Sequence, residues 1–173
     1  AGWGVSYGNS MATIAHAGAT TTDDFLVVGD LFSATTIGST NLTPDGPPDI
    51  FVLRISAADG TVLSAKRYGA NTAQSGQHIV GDKDGNAVIS GRYSGSLLTV
   101  NGDTASDDLF VFGTNSSGFV TWSKGFVGDW FLHDLTADKN GSFVLAGRFT
   151  GAAKIGSKTL NGTGEADLFV VKI

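Results

Sequence analysis

The feature that most constrains this chain is a period of 59 residues. Asp49-Ile50-Phe51-Val52-Leu53 returns as Asp108-Leu109-Phe110-Val111-Phe112 and again as Asp167-Leu168-Phe169-Val170-Val171, at the same spacing both times. A second block, Phe25-Leu26-Val27-Val28-Gly29-Asp30, matches Ala87-Val88-Ile89-Ser90-Gly91-Arg92 and Phe143-Val144-Leu145-Ala146-Gly147-Arg148. A third runs through Trp3–Tyr7, Ser64–Tyr68 and Trp122–Phe126, and a fourth through Ile14–Ala17, Ile79–Asp82 and Leu135–Asp138. Such self-similarity marks a fold built by stacking one supersecondary unit, because a single unit cannot bury its apolar face alone.

The blocks read as strands. They are short, β-branched or aromatic, and the turn dipeptides Asp59-Gly60, Asp84-Gly85, Ser117-Gly118 and Asn140-Gly141 stand between apolar runs, as tight hairpins require. One repeat is then four antiparallel strands, with an excursion between the second and third holding Thr36-Ile37-Gly38, Leu98-Thr99-Val100 or Lys154-Ile155-Gly156. Four strands at this period predict a β-propeller of three four-stranded blades, covering roughly residues 9–68, 69–126 and 127–173 plus 1–8. A β-sandwich would explain the turns but not the repetition. The Gly of the second strand is expected where sheets approach closely, and the Phe of the third between blades.

Composition agrees. There are 25 Gly and 15 Asp against a single Glu (Glu165), which suits turns and excludes a helical protein. At 41% hydrophobic residues, 173 residues can build a core without disulfides, and the lack of Cys excludes thiol catalysis and Cys-based zinc sites. With a net charge of −5 and its 11 Lys and Arg dispersed, the chain lacks the basic footprint of a nucleic-acid binder. No stretch approaches the ~18 apolar residues of a transmembrane helix. The first residues carry no leader pattern, so the expectation is either a cytoplasmic protein or one that starts after a removed signal; the absence of Cys leans toward the latter.

The succession D-[IL]-F-V, a Gly turn, a Trp or Ser with an aromatic four residues on, then D-x-x-G-[NS]-x-V-[IL]-x-G-[RD]-[FY] resembles the SBBP-type bacterial β-propeller repeat along the whole chain. Repeat 1 departs at Ala17–Asp24, a longer first hairpin without the Asp-x-x-Gly turn; repeat 2 departs at Ser64 and at Gly113-Thr114-Asn115. The resemblance implies a secreted or surface-attached scaffold without an assigned activity.

Trp3–Tyr7 matches the fourth strands, whereas Asp167–Ile173 is a third strand. The expectation is that the N-terminal strand completes the last blade, in its own chain or in a partner copy. Three blades fall below the usual four to eight, so a homodimer or other propeller repeats would complete the ring.

Candidate sites are few. Asp82, Asp84 and Asn86 offer alternating oxygens such as Ca²⁺ favours, yet the loop lacks the bidentate acid of a true calcium loop, and a plain hairpin turn is the stronger reading. No cofactor is otherwise expected. His16, His78 and His133 fall in or next to first strands but at different registers, which argues against a shared metal. The G-x-S-x-G, H-E-x-x-H and Walker patterns are missing, so no enzyme is expected. The best candidate for ligand binding is Trp130-Phe131, an aromatic pair read as a loop feature, with Asp129 and His133 beside it, suited to a sugar or a protein contact, although packing against the neighbouring blade is the stronger reading of the pair. The expected function is a non-enzymatic extracellular or surface scaffold; the alternative is a carbohydrate-binding, lectin-like propeller. Lectin propellers tend to repeat their binding residues in every blade, and Trp130-Phe131 occurs once, which favours the scaffold.

Overall fold

The computed structural model describes residues 2–7, 13–21, 23–93, 109–138, 142–155 and 158–173. It is all β, without a helix among these residues. The first repeat forms the sheet its sequence predicts: β1 (Thr13–Thr20), β2 (Asp24–Leu31), β5 (Asp49–Ser56) and β6 (Val62–Tyr68) pair antiparallel in the order β1-β2-β5-β6. Its excursion is a small hairpin of β3 (Thr35–Ile37) and β4 (Thr40–Leu42).

The second and third repeats do not form two separate blades. β7 (Gln74–Gly81), β8 (Ala87–Tyr93), β9 (Leu109–Thr114), β10 (Val120–Ala137), β11 (Phe143–Ile155) and β12 (Lys158–Asn161) share one sheet, with β13 (Asp167–Lys172) paired to β11. The cause is β10. Its first part, through Phe126, pairs with β9 as the last strand of repeat 2, and from Phe126 onward it pairs with β11 as the first strand of repeat 3. The register slips between Val127 and Asp129, at Gly128, whose φ of 124° suits glycine, so the strand turns from one repeat into the next without a break. Within this sheet the succession β7-β8-β9-β10 repeats that of the first sheet, and β10-β11-β13 repeats its first three members. The sheets do not close into a barrel or ring among the described residues.

The two strongest repeat signals have one explanation. Gly29 pairs with Phe51, Gly91 with Phe110 and Gly147 with Phe169, each directly across neighbouring strands. A Cβ on Gly91 would lie 2.6 Å from the Phe110 ring, so the glycine clears the space the aromatic fills.

The core lies between repeats. Leu26, Val28, Ile50 and Tyr68 of the first pack on Ile79, Ile89, Phe110 and Phe112 of the second. Val88, Leu109 and Val111 of the second pack on Trp130, Leu145, Phe149 and Phe169 of the third. A third cluster covers the other face of the first sheet, where Ile37 and Leu42 of the β3–β4 hairpin sit on Phe51, Leu53 and Ile55, with Tyr7 alongside.

The N-terminal segment departs from expectation. Residues 2–7 are not a strand and do not complete the third repeat of their own chain. Trp3 donates its indole N–H to Ala57 O at 2.9 Å and meets Phe25 edge-on, and Tyr7 donates its hydroxyl to Gly60 O. Gly60 leaves room for the Trp3 ring, which holds the segment on the first sheet. Leu98–Val100, Asp108, Ser10-Met11, Asn140-Gly141 and Gly156 lie outside the described residues, as does the side chain of His16.

Candidate functional site

Residues 129–133 lie within β10, not in a loop, and strand alternation splits the aromatic pair. Trp130 points inward with no exposed surface, against Phe126, Phe149 and Phe169 at ring distances of 5.5, 5.6 and 4.8 Å, and its indole N–H donates to Val127 O. It is core, which agrees with packing between repeats and removes Trp130 from the candidate binding residues. Packing four aromatic rings together at the junction of repeats 2 and 3 leaves it no route to solvent.

Phe131 points the other way and is 44% exposed. Arg148 lies over its ring at 5.1 Å, Arg92 stands at 6.0 Å and the His133 imidazole at 4.8 Å. Arg148 pairs directly with Phe131 across the strands, which fixes it there. Asp129 is also exposed, and its carboxylate accepts a hydrogen bond from Thr150 Oγ1 at 2.7 Å. Behind His133, His78 of β7 is half-buried. Burial pushes its pKa down, against the pull of the Asp134 carboxylate and a hydrogen bond to the Leu132 backbone, with His133 adding to the depression. Thus Asp129, Phe131 and His133 share an open surface, Trp130 does not, and Arg92 and Arg148 join it.

Asp82, Asp84 and Asn86 share one hairpin, and the carboxylates of Asp82 and Asp84 already accept hydrogen bonds within it. Asp82 Oδ1 accepts the backbone N–H groups of Asp84 and Asn86, and Oδ2 accepts the Asn86 side-chain amide. Burial opposes its ionisation, but these hydrogen bonds and Lys83 hold its pKa below the usual carboxylate value. Asp84 pairs with Lys83 at 2.6 Å. Asp138 makes the same use of its carboxylate, accepting Ser142 N–H. The geometry is that of an Asp-capped turn. Among the described residues no three His, Asp or Glu converge as metal ligands.

The Asp that opens the 59-residue motif is also structural. Asp49, fully buried, accepts Asp45 N–H and pairs with Arg67, and Asp167 accepts Thr163 N–H, in both cases four residues back in the excursion. Other polar groups tie one repeat to the next. Asp30 accepts Gly76 N–H and Ser75 Oγ–H, Arg92 donates to Trp130 O at 2.7 Å, Tyr68 donates to Gly118 O and Arg54 to Gly85 O.

A cleft of about 310 Å³ opens between repeats 2 and 3, bounded by Asn86, Asn115, Thr121, Trp122 and Phe143. Sequence reading did not find it. Its polar side chains are already engaged: Asn115 accepts Ser117 and Phe119 N–H, and Thr121 donates to Gly113 O. Comparison with protein-family models and with curated proteins returned no match to this chain.

Proposed function

We propose that this chain is a non-enzymatic scaffold whose repeats are β-propeller blades of the SBBP type, displayed on a bacterial surface or outside the cell and completed by a second copy or by other propeller repeats. The observation that carries this reading is where the repeated residues are spent. The Gly–Phe pairs fill the space between strands, the repeated Asp holds excursion loops, and the Gly+1 position (Asp30, Arg92) reaches the next repeat. A chain selected for chemistry would aim some recurring polar group at a common cavity; here they go into construction.

Carbohydrate binding is the second reading, and the Phe131 surface is what favours it. An exposed ring flanked by His133 and Arg148 suits stacking on a sugar face. The matching positions on β7 and β8 place Ser75 beside Arg92, so the platform is not repeated. A glycan array probed with the whole chain separates the two. The scaffold predicts no saturable signal; saturable binding that disappears in Phe131→Ala would establish the lectin in its place.

A further inference from the structure

Each repeat presents a face whose two apolar residues sit at the second and fourth positions of the 59-residue motif. In repeat 1 they are Ile50 and Val52, in repeat 2 Leu109 and Val111, in repeat 3 Leu168 and Val170. Their cross-strand partners match as well: Asp30 faces Ile50, Arg92 faces Leu109 and Arg148 faces Leu168. What differs is cover. Ile50 and Leu109 are each 1% exposed and Val111 is fully buried, because the next repeat lies on them, whereas Leu168 is 79% exposed and Val170 is 64% exposed. Phe131 extends the same open face, paired with Arg148.

We infer that this open face, made by Phe131, Arg148, Leu168 and Val170, is an interface for a second copy of this chain, which lays its first repeat on it. The inference rests on the scaffold reading and names its partner. Two precedents within the molecule define the fit: both existing contacts set the Leu/Val face of one repeat against the Phe side of the next, with Phe110 and Phe112 in one case and Phe169 and Trp130 in the other. The Phe side on which no other repeat of this chain lies is that of the first repeat, Phe51 and Leu53, which the β3–β4 hairpin and Tyr7 already bury to 2% and 4% exposure. A hairpin does not obstruct such a contact, since in repeat 3 Ile155 and Leu160 of the corresponding hairpin pack, partly buried, on the cluster that joins Phe169 to the Leu109 and Val111 face of repeat 2. The contact requires the N-terminal segment at Tyr7, which here bonds Gly60 O, to move aside. Arg148 then has the role its counterparts show, leaving the Phe131 ring to bond the first strand of the incoming repeat as Asp30 and Arg92 do. Two such contacts about a twofold axis close a ring of six repeats.

Sedimentation velocity of the full chain over a wide concentration range tests this. The expected mass is twice 17.7 kDa, with Leu168→Asp and Val170→Asp each weakening association on the order of tenfold or more. Both residues are solvent-exposed within one chain, so unchanged thermal unfolding at high dilution shows that the variants fold. Phe119→Asp, at an exposed ring elsewhere, should leave the mass unchanged. A monomer at about 100 μM, well above the micromolar dissociation constants of ordinary specific contacts, overturns the inference; so does a dimer indifferent to residues 168 and 170. Because the chain has no cysteine, Val170→Cys supplies one thiol, and rapid oxidation to a covalent dimer would show the two open faces meeting each other, which also overturns it. Glycan binding by an intact dimer would remove the scaffold reading and leave the face standing, so the two failures are distinguishable.

Discussion

Gly147 on β11 stands directly opposite Phe169 on β13, and the ring occupies the space a side chain on residue 147 would need: a Cβ there would lie 2.7 Å from Phe169 Cε1 and would also crowd the carbonyl oxygen of Phe131. The pair recurs as Gly91 and Phe110, so the most regular feature of the sequence is a packing device that lets an aromatic ring sit close against its neighbouring strand.

Gly147→Ala and Gly91→Ala should each destabilise the protein by about 1–3 kcal/mol, the usual cost of overpacking, because backbone as well as ring must shift. Gly164→Ala, with open space around it, should stay within about 0.5 kcal/mol. Urea denaturation of the three variants checks this; equal effects would refute the role assigned to the Gly–Phe pairs.

Tyr68 joins repeats 1 and 2, its hydroxyl donating to Gly118 O at 2.8 Å and its ring lying 5.1 Å from Phe112. Burial pushes its pKa from 10.0 to about 12. The folded state therefore favours the neutral phenol: the contribution is fully present below pH 10 and is lost as pH rises through about 12. Tyr68→Phe should lower stability by about 1 kcal/mol at neutral pH and flatten the alkaline fall in the melting temperature. An unchanged alkaline profile would contradict the assignment.

His78 gives the opposite sign on the acid side. Its pKa is lowered by burial, so the folded state favours neutral imidazole, and stability present above 6.5 is lost as pH falls below it. Carboxylates ordinarily titrate near pH 4, below the interval between pH 6.5 and 5, and because the chain holds two further histidines the difference between the protein and its His78→Gln variant is what reads this residue. His78→Gln should make the melting temperature less dependent on pH across that interval, read by differential scanning calorimetry.

Asp82 caps its hairpin through two backbone amides and the Asn86 side chain. Asp82→Ala should cost about 1 kcal/mol, because the partly buried Asn86 backbone and side-chain donors lose their acceptor. Adding millimolar Ca²⁺ to the unaltered protein should leave its melting temperature unchanged. A rise of several degrees that Asp82→Ala abolishes would instead make the turn a calcium site.

The period, the antiparallel order within a repeat and the Gly and Phe positions were legible in the sequence because each depends on local spacing and turn chemistry. The fusion of repeats 2 and 3 was not. It depends on Gly128, a single residue at a junction with no turn dipeptide, letting β10 serve both repeats. Trp130 and Phe131 were found as a pair, but a loop assignment hid the alternation that buries one and exposes the other. The motif containing Leu168 and Val170 was in plain view; its exposure follows only from which face each repeat offers the next. The resting place of Trp3 and Tyr7 hinges on Ala57 and Gly60, a turn whose appetite for a Trp ring leaves no sequence signal.

Thiol labelling at equivalent positions tests most directly the claim that one face is covered in repeats 1 and 2 and open in repeat 3. The chain has no cysteine of its own, so Val52→Cys, Val111→Cys and Val170→Cys each carry one reporter. At high dilution, position 170 should react nearly as fast as a free thiol, position 111 slower by roughly a hundredfold or more because it reacts only through opening of the structure, and position 52, partly buried, in between. Equal rates at 52, 111 and 170 would contradict the stacking on which the whole account rests.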